Sequence, residues 1–135
     1  MTGITFSLEN DLDPVEFKDV LIRSGLDERR PAEHPEKLEA MCQHANLTIT
    51  ARRDGLLVGI ARSLSDFSWC TYLSDLAVDR DYQSLGIGRK LIDETVAHSN
   101  GGLVLLLAAP GKSTYYEHVG MSKFTECFLH RRPQS

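Results

Sequence analysis

Two groups of residues in this chain have the types and spacing that chemistry needs. The first is Gln83-Ser84-Leu85-Gly86-Ile87-Gly88, followed by Arg89. A β-type run, Thr71 to Val78, leads into it, and an amphipathic helical pattern, Arg89 to His98, leads out. The first N–H groups of a helix lack internal acceptors and carry the positive end of its dipole. Glycines let an anion approach that backbone closely, so the turn suits a phosphate or pyrophosphate. The second group is Tyr115-Tyr116, with Gly120-Met121 following four residues after Tyr116. A tyrosine hydroxyl in a cleft can protonate a leaving group. The plainer reading of such a pair is amphipathic packing with the hydroxyls at the surface.

Other chemistries find less support. The glycine turn matches neither the dinucleotide spacing G-x-G-x-x-G nor the phosphate loop G-x-x-x-x-G-K-[ST]. Cys42, Cys70 and Cys127 are not at metal-ligand spacing, and the five histidines form no H-x-x-x-H pair, so no metal is expected. Buried reduced thiols are the expectation for all three cysteines, Cys70 included because it follows Trp69 in an apolar run. A net charge of −4 gives no electrostatic case for nucleic acid or an anionic membrane as partner. No apolar run approaches the ~20 residues of a membrane span. Met1-Thr-Gly-Ile-Thr-Phe shows no charged region followed by an apolar core, so the cytoplasm is the expected location.

These residues need elements to position them. Ile4 to Glu9 alternates as a half-buried strand. Asp13-Pro14 is a helix start, Glu16 stands where a capping box would have it, and Gly25 ends the helix. Leu26 to His34 reads as a charged, solvated connection, and Pro35 to about Ala45 as a second helix. Leu47 to Arg52 and Leu56 to Arg62 alternate around Arg53-Asp54-Gly55, a hairpin signal. Gly59 inside the second of these strands marks a bulge or a close approach. Trp69 to Val78 is a long fourth strand, and Gly88 to His98 the third helix. Leu103 to Ala109 is almost continuously apolar, as in a strand covered on both faces. A short helix from about Lys112 to Val119 and a last strand, Ser122 to Leu129, complete the order. The whole is a mixed α+β pattern in one domain, residues 1–135.

The strand Leu76-Ala77-Val78-Asp79, the spacing Gln83-x-x-Gly86-x-Gly88 and the pair Tyr115-Tyr116 before Gly120-Met121 together resemble the GNAT N-acetyltransferase superfamily. The order of elements is similar too, from Ile4 to Leu129. Met121 departs from the phenylalanine usual at that place. The resemblance implies a mostly antiparallel sheet whose fourth and fifth strands splay apart to make a cofactor cleft. It implies acetyl-CoA as donor and a primary amine, of a small molecule or a protein, as acceptor. Leu76, Ala77 and Val78 would meet the pantetheine and the acetyl oxygen. The N–H groups of Gln83, Ser84, Leu85, Gly86, Ile87, Gly88 and Arg89 would hold the pyrophosphate. Tyr116 would protonate the departing thiolate, and a homodimer is an allowed state.

The acceptor's base is not marked. Some family members carry a glutamate four residues before the position of Leu76, and here that residue is Tyr72. Strand alternation turns Asp75 to the opposite face from Leu76. His118 follows the tyrosine pair and could act through water. Tyr72 and His118 are therefore expected to line the acceptor's place, without a dedicated base. Two other classes stand beside the enzyme: an acyl-CoA-binding sensor without turnover, and a nucleotide or redox module with an incidental Gly-x-Gly.

Overall fold

The computed structural model describes residues 3–131. Five strands form one sheet in the order β1 (Ile4–Leu8), β2 (Leu47–Arg53), β3 (Leu56–Ser65), β4 (Cys70–Val78) and β5 (Leu103–Leu105). The first four pair antiparallel, and β5 joins β4 in parallel through the crossover helix α3 (Ile87–His98). Helices α1 (Pro14–Ser24) and α2 (Pro35–His44) cover one face of the sheet, and α3 covers the other. A short helix, α4 (Ser113–His118), follows β5. This is the expected α+β architecture. Among the described residues no helix is long and apolar enough to cross a membrane.

Local chemistry accounts for the helix ends. The Asp13 carboxylate accepts from the Val15 N–H at 2.9 Å, Pro14 occupies the first turn, and Gly25 closes α1 with φ 85°. Glu16 does not complete a capping box. It receives Arg52 Nη1 at 2.7 Å, because an arginine on the neighbouring strand is a stronger partner than a backbone N–H. The buried stripe of α1, Phe17, Val20 and Leu21, meets Leu38 and Cys42 of α2 over Leu57, Ile60 and Ala77. Each fully buried Phe, Leu, Val or Ile among them contributes about 1.5–3 kcal/mol. The β2–β3 turn has positive φ at both Asp54 and Gly55, as a tight two-residue hairpin turn requires. Gly59 is a close approach: a Cβ there would lie 3.1 Å from Leu91 Cδ1 and 3.2 Å from Ile87 Cγ2, so its absence lets α3 settle on the sheet.

Two irregularities matter for the site. Between Arg62↔Asp75 and Ser63↔Leu73 the β3–β4 register slips by one, so Ser74 is an extra residue in β4. Beyond Tyr72↔Leu105 the strands β4 and β5 no longer pair. β4 runs on to Val78 with no partner on this side, which leaves the gap that a splay requires.

The C-terminal third departs from expectation. β5 pairs over only three residues, and Leu103, Leu105 and Leu107 are exposed, so the run is covered on one face and not on both. Ser122 to Leu129 forms no strand, because it takes no backbone hydrogen bond from a neighbour among the described residues. Of the cysteines, only Cys42 is buried, and burial pushes its thiol up to about 11. Cys70 and Cys127 are exposed: β4 begins at Cys70, outside the cover of α1 and α2.

Candidate active site

The loop after β4 is held from both ends. Asp79 accepts Arg23 Nη1 at 2.5 Å on one carboxylate oxygen and the Asp81 N–H at 2.9 Å on the other. Arg23 Nη2 also reaches the Leu57 carbonyl at 2.6 Å, which locks α1 to the base of the loop. The Asp79 carboxylate starts a 3₁₀ turn, Arg80–Tyr82. The Gln83 side chain then turns back and donates from Nε2 to the Val78 carbonyl at 3.0 Å. Gln83 thereby closes the loop onto the end of β4. Ser84 and Gly86 adopt positive φ, 67° and 84°. Gly86 enters α3 as its cap residue with no side chain to occupy the first N–H groups.

The result is a row of open donors. The N–H groups of Ser84, Leu85, Gly86, Ile87, Gly88 and Arg89 have no acceptor among the described residues, whereas Lys90 N bonds back to the Gly86 carbonyl at 3.1 Å. Ile87 anchors the row, since its side chain is buried in the α3-side core while its N–H stays free. A helix N-terminus with consecutive free donors favours an anion. Leu76 and Val78 lie at the diverging edge of β4, partly buried against the same core, and Ala77 between them faces α1 and α2.

The two tyrosines divide the space beside this row. An added Cβ at Gly88 would lie 2.5 Å from the Tyr115 hydroxyl, so Tyr115 rests on the start of α3. Its neighbour Tyr116 packs edge-on, ring centroids 5.2 Å apart, and sinks into the core with Val119 and Met121. Burial pushes the Tyr116 hydroxyl above the ordinary phenol range; Tyr115 adds to the shift and Arg30 opposes it. Burial likewise raises Tyr115, against the charge of Arg89. Both phenols therefore hold their protons at neutral pH.

Arg30 is the residue that sequence reasoning missed. It crosses from the α1–α2 connection to β4, where Nε donates to the Asp75 carboxylate and Nη2 donates to the Ser74 carbonyl at 2.8 Å. Arg62 Nε holds the other Asp75 oxygen at 2.5 Å. The bulge in β4 is thus clamped by a buried carboxylate between two guanidinium groups. The available signal was Asp75 itself, a charge inside an apolar strand, which needs a partner. The connection Leu26 to His34 is not simply solvated. It lines an open hollow of about 350 Å³ with Asp27, Glu28, Arg30, Glu33 and His34.

Neither base candidate stands beside Leu76. The Ser74 bulge puts Leu73 with Leu76 and Val78 on the α3 side, so Tyr72 points to the opposite face, shared with Asp75. His118 is exposed at the end of α4, and two residues of helix turn it away from Tyr116. Asp75 itself is fully buried and engaged twice.

A sheet that opens between β4 and β5 above a free helix start is the arrangement expected of an acyl-CoA-dependent transferase. The family model described as Acetyltransferase (GNAT) family matches residues 14–107. The chain belongs to the GNAT family and is an N-acetyltransferase. Solved structures share its fold. A GNAT-family acetyltransferase of Streptococcus pneumoniae aligns at TM-score 0.78 and 20% identity, over 97% of this chain and 98% of that one. An aminoglycoside acetyltransferase from an uncultured soil metagenomic sample, in complex with sisomicin, aligns at TM-score 0.74 and 18% identity, over 98% and 97%. An aminoglycoside N-acetyltransferase in complex with CoA aligns at TM-score 0.72 and 14% identity, over 96% and 94%. Among curated proteins, no sequence matches the chain.

Proposed function

We propose that this protein, as a single domain, transfers an acetyl group directly from acetyl-CoA to a primary amine. The observation that carries the reading is the row of free N–H groups from Ser84 to Arg89 at the start of α3. That row suits the pyrophosphate of the cofactor, with Gln83 closing the loop behind it. The open edge of β4, Leu76 to Val78, suits the pantetheine, which runs as an extended chain along a strand. The amine nitrogen attacks the thioester carbonyl, the C–S bond breaks, and the sulfur leaves as a thiolate. Tyr116 gives that thiolate its proton, and its raised pKa keeps it protonated while it waits.

A cationic small-molecule amine is favoured over a protein amino group. Asp27, Glu28 and Glu33 give the hollow beside Arg30 an acidic rim, and Tyr72 lies on the same face of the sheet as Asp75. Two of the structural relatives are aminoglycoside acetyltransferases, and aminoglycosides are cationic amines. Asp75 is spent on two arginines and His118 is turned away from Tyr116, so the amine loses its proton to solvent.

Titration calorimetry with acetyl-CoA tests the donor site, with Gly88→Glu as the variant. The new side chain places a negative charge in the row of donors and displaces the Tyr115 hydroxyl. We expect binding to be lost while the circular dichroism spectrum stays as in the parent. Parent-like affinity in that variant, or tighter binding of NAD or ATP by the parent, would defeat the reading. Release of free thiol over a panel of amines then separates the transferase from a sensor, which binds the cofactor and releases none.

A further inference from the structure

The gap between β4 and β5 begins at one place in β4, and that place is held from outside the sheet. Tyr72↔Leu105 is the last pair joining the two strands, and the extra residue Ser74 stands two positions beyond it. The residue inserted by a bulge has no partner across the ladder, so its backbone carbonyl must find another donor. Arg30 is that donor, through Nη2 at 2.8 Å. The Ser74 hydroxyl accepts from Arg62 Nη2 at 3.1 Å. Asp75, the next residue, lies wholly buried between the two guanidinium groups. Main chain, hydroxyl and neighbouring carboxylate are thus all fixed. A bulge whose place is unmarked can slide, and a slip of one residue turns every side chain to the other face.

Arg30 differs from Arg62 in where it comes from. Arg62 reaches Asp75 from the adjacent strand and belongs to the sheet. Arg30 reaches it from the connection between α1 and α2, and stays 22% exposed because its other side borders the open hollow. Its Nη1 donates to the Arg29 carbonyl at 2.8 Å, so the guanidinium is fixed to the connection as well as to the strand. All three of its nitrogens are engaged. The same guanidinium is felt at Tyr116, on the helix that follows β5, where it opposes the upward push of burial and of Tyr115. Among the described residues, the titratable groups felt at that hydroxyl are Tyr115, on its own helix, and Arg30.

We propose that Arg30 is a positioning residue for acetyl transfer, pinning the bulge at Ser74 so that the open edge from Leu76 to Val78 and the Tyr116 hydroxyl meet in one geometry. The assignment rests on the reading of that edge as the donor's place and of Tyr116 as the acid. Arg30 acts through the β4 backbone and touches neither substrate. The open edge is thereby held at both ends, by Arg30 at Ser74 and by Arg23 at Asp79. The role needs a two-pronged donor, one prong for the Asp75 carboxylate and one for the Ser74 carbonyl. A guanidinium presents that fork rigidly, and an ammonium does not. Misplacement of reacting groups by about 1 Å costs on the order of 10²-fold in rate. Because the connection that carries Arg30 also borders the hollow, the acceptor's side and the donor's edge share one anchor.

Steady-state kinetics on the full chain test it, with acetyl-CoA and the fastest amine of a panel of alkyl diamines and aminoglycosides. The chains compared are the parent, Arg30→Gln and Arg30→Lys. We expect both variants to melt cooperatively and to bind acetyl-CoA with parent-like affinity by calorimetry. In each, kcat should fall about 10²-fold while the acceptor KM stays, the pattern of an interaction made in the transition state alone. Arg30→Lys keeps a charge beside Asp75 and carries the test where Arg30→Gln fails to fold. Two readouts need no turnover. Amide exchange at residues 74–76 should quicken in both variants. The Tyr116 ring signal in NMR should titrate at higher pH in Arg30→Gln than in the parent, because the opposing charge is gone. Parent-like kcat in either variant, beside a parent that turns over, overturns this proposal and leaves the transferase reading standing. A loss of acetyl-CoA affinity as large as the loss in rate would make Arg30 a general support of the site, and overturns the proposal too. A parent that binds acetyl-CoA and releases no thiol with any amine overturns the transferase reading, and the positioning role falls with it.

Discussion

β3 carries Arg62 and two serines and the run Leu103 to Leu107 is wholly apolar, yet β3 is buried over seven consecutive residues while β5 is covered on one face only. The difference lies in what the rest of the chain places around them. β3 has β2 and β4 at its sides, α1 and α2 above, and α3 below. β5 has β4 on one side and the α3 layer below it. A continuous apolar run therefore reports that both faces need cover, without saying which chain provides it. The N-terminal two thirds is closed on itself, and the last third leaves one face open.

Six substitutions, grouped by the largest effect in each group, sharpen or break this contrast. Tyr116 sits on the seam between the two regions. Tyr116→Phe should retain acetyl-CoA binding by calorimetry and slow thiol release about 10²–10⁴-fold. Tyr115→Phe should be close to neutral in rate. The reverse result would put the acid on the tyrosine that rests on Gly88. Because burial raises the Tyr116 pKa, the acid stays protonated at neutral pH. Turnover of an alkylamine should accordingly keep rising from neutral to alkaline pH as the amine loses its proton. A rate that is level above pH 7 would reveal a base in the cleft.

Asp75→Ala attacks the closed region at the buried charge cluster that Asp75 forms with Arg30 and Arg62. It leaves Arg62, 7% exposed, without its carboxylate partner. Denaturant melts should show a loss of about 3–5 kcal/mol, the usual cost of breaking a buried pair from one side. A loss under about 1 kcal/mol would mean that the cluster is hydrated.

Leucine truncations compare the regions directly. Leu21, fully buried under α1, should cost about 2–5 kcal/mol on truncation to Ala. Leu105→Ala in the dilute protein should stay within about 0.5 kcal/mol, as for other surface changes. Equal costs would mean that β5 is covered within the single chain after all.

The smallest effect belongs to Glu9, whose carboxyl is held below its ordinary value by the Arg52 guanidinium. A depressed carboxylate stabilises the fold above its unfolded pKa and loses that contribution as pH falls through the folded one. Arg52→Met should therefore flatten the fall in melting temperature below about pH 5, by an amount equivalent to about 1 kcal/mol or less. An unchanged acid profile would show that the partly exposed pair is screened by solvent.

Local grammar was readable in the sequence. The Asp13-Pro14 start, the Gly25 stop, the Asp54-Gly55 turn and the close approach at Gly59 each follow from a backbone requirement met by one or two adjacent residues. The glycine loop was readable for the same reason, since its donors come from consecutive residues. What escaped depends on distant residues. Arg30 and Asp75 are 45 positions apart, and no local pattern pairs them. The extra residue at Ser74 exists only in the register against β3, and it turned Tyr72 to the face opposite that implied by simple alternation. Glu16 looked like a cap because nothing nearby in sequence announces Arg52. The final strand failed for the most physical of these reasons: a strand is defined by its neighbour, and Ser122 to Leu129 has none among the described residues.

The spatial order of the strands is also their order in the chain. The sheet can be laid down from one edge to the other as the polypeptide emerges, and no strand has to be threaded between two that are already joined. β5 is the last to be made, and the gap between it and β4 exists only once it is in place. The gap proposed for the cofactor is thus the last feature of the sheet to form, and no cofactor bound there can template the pairing of the four strands that precede it.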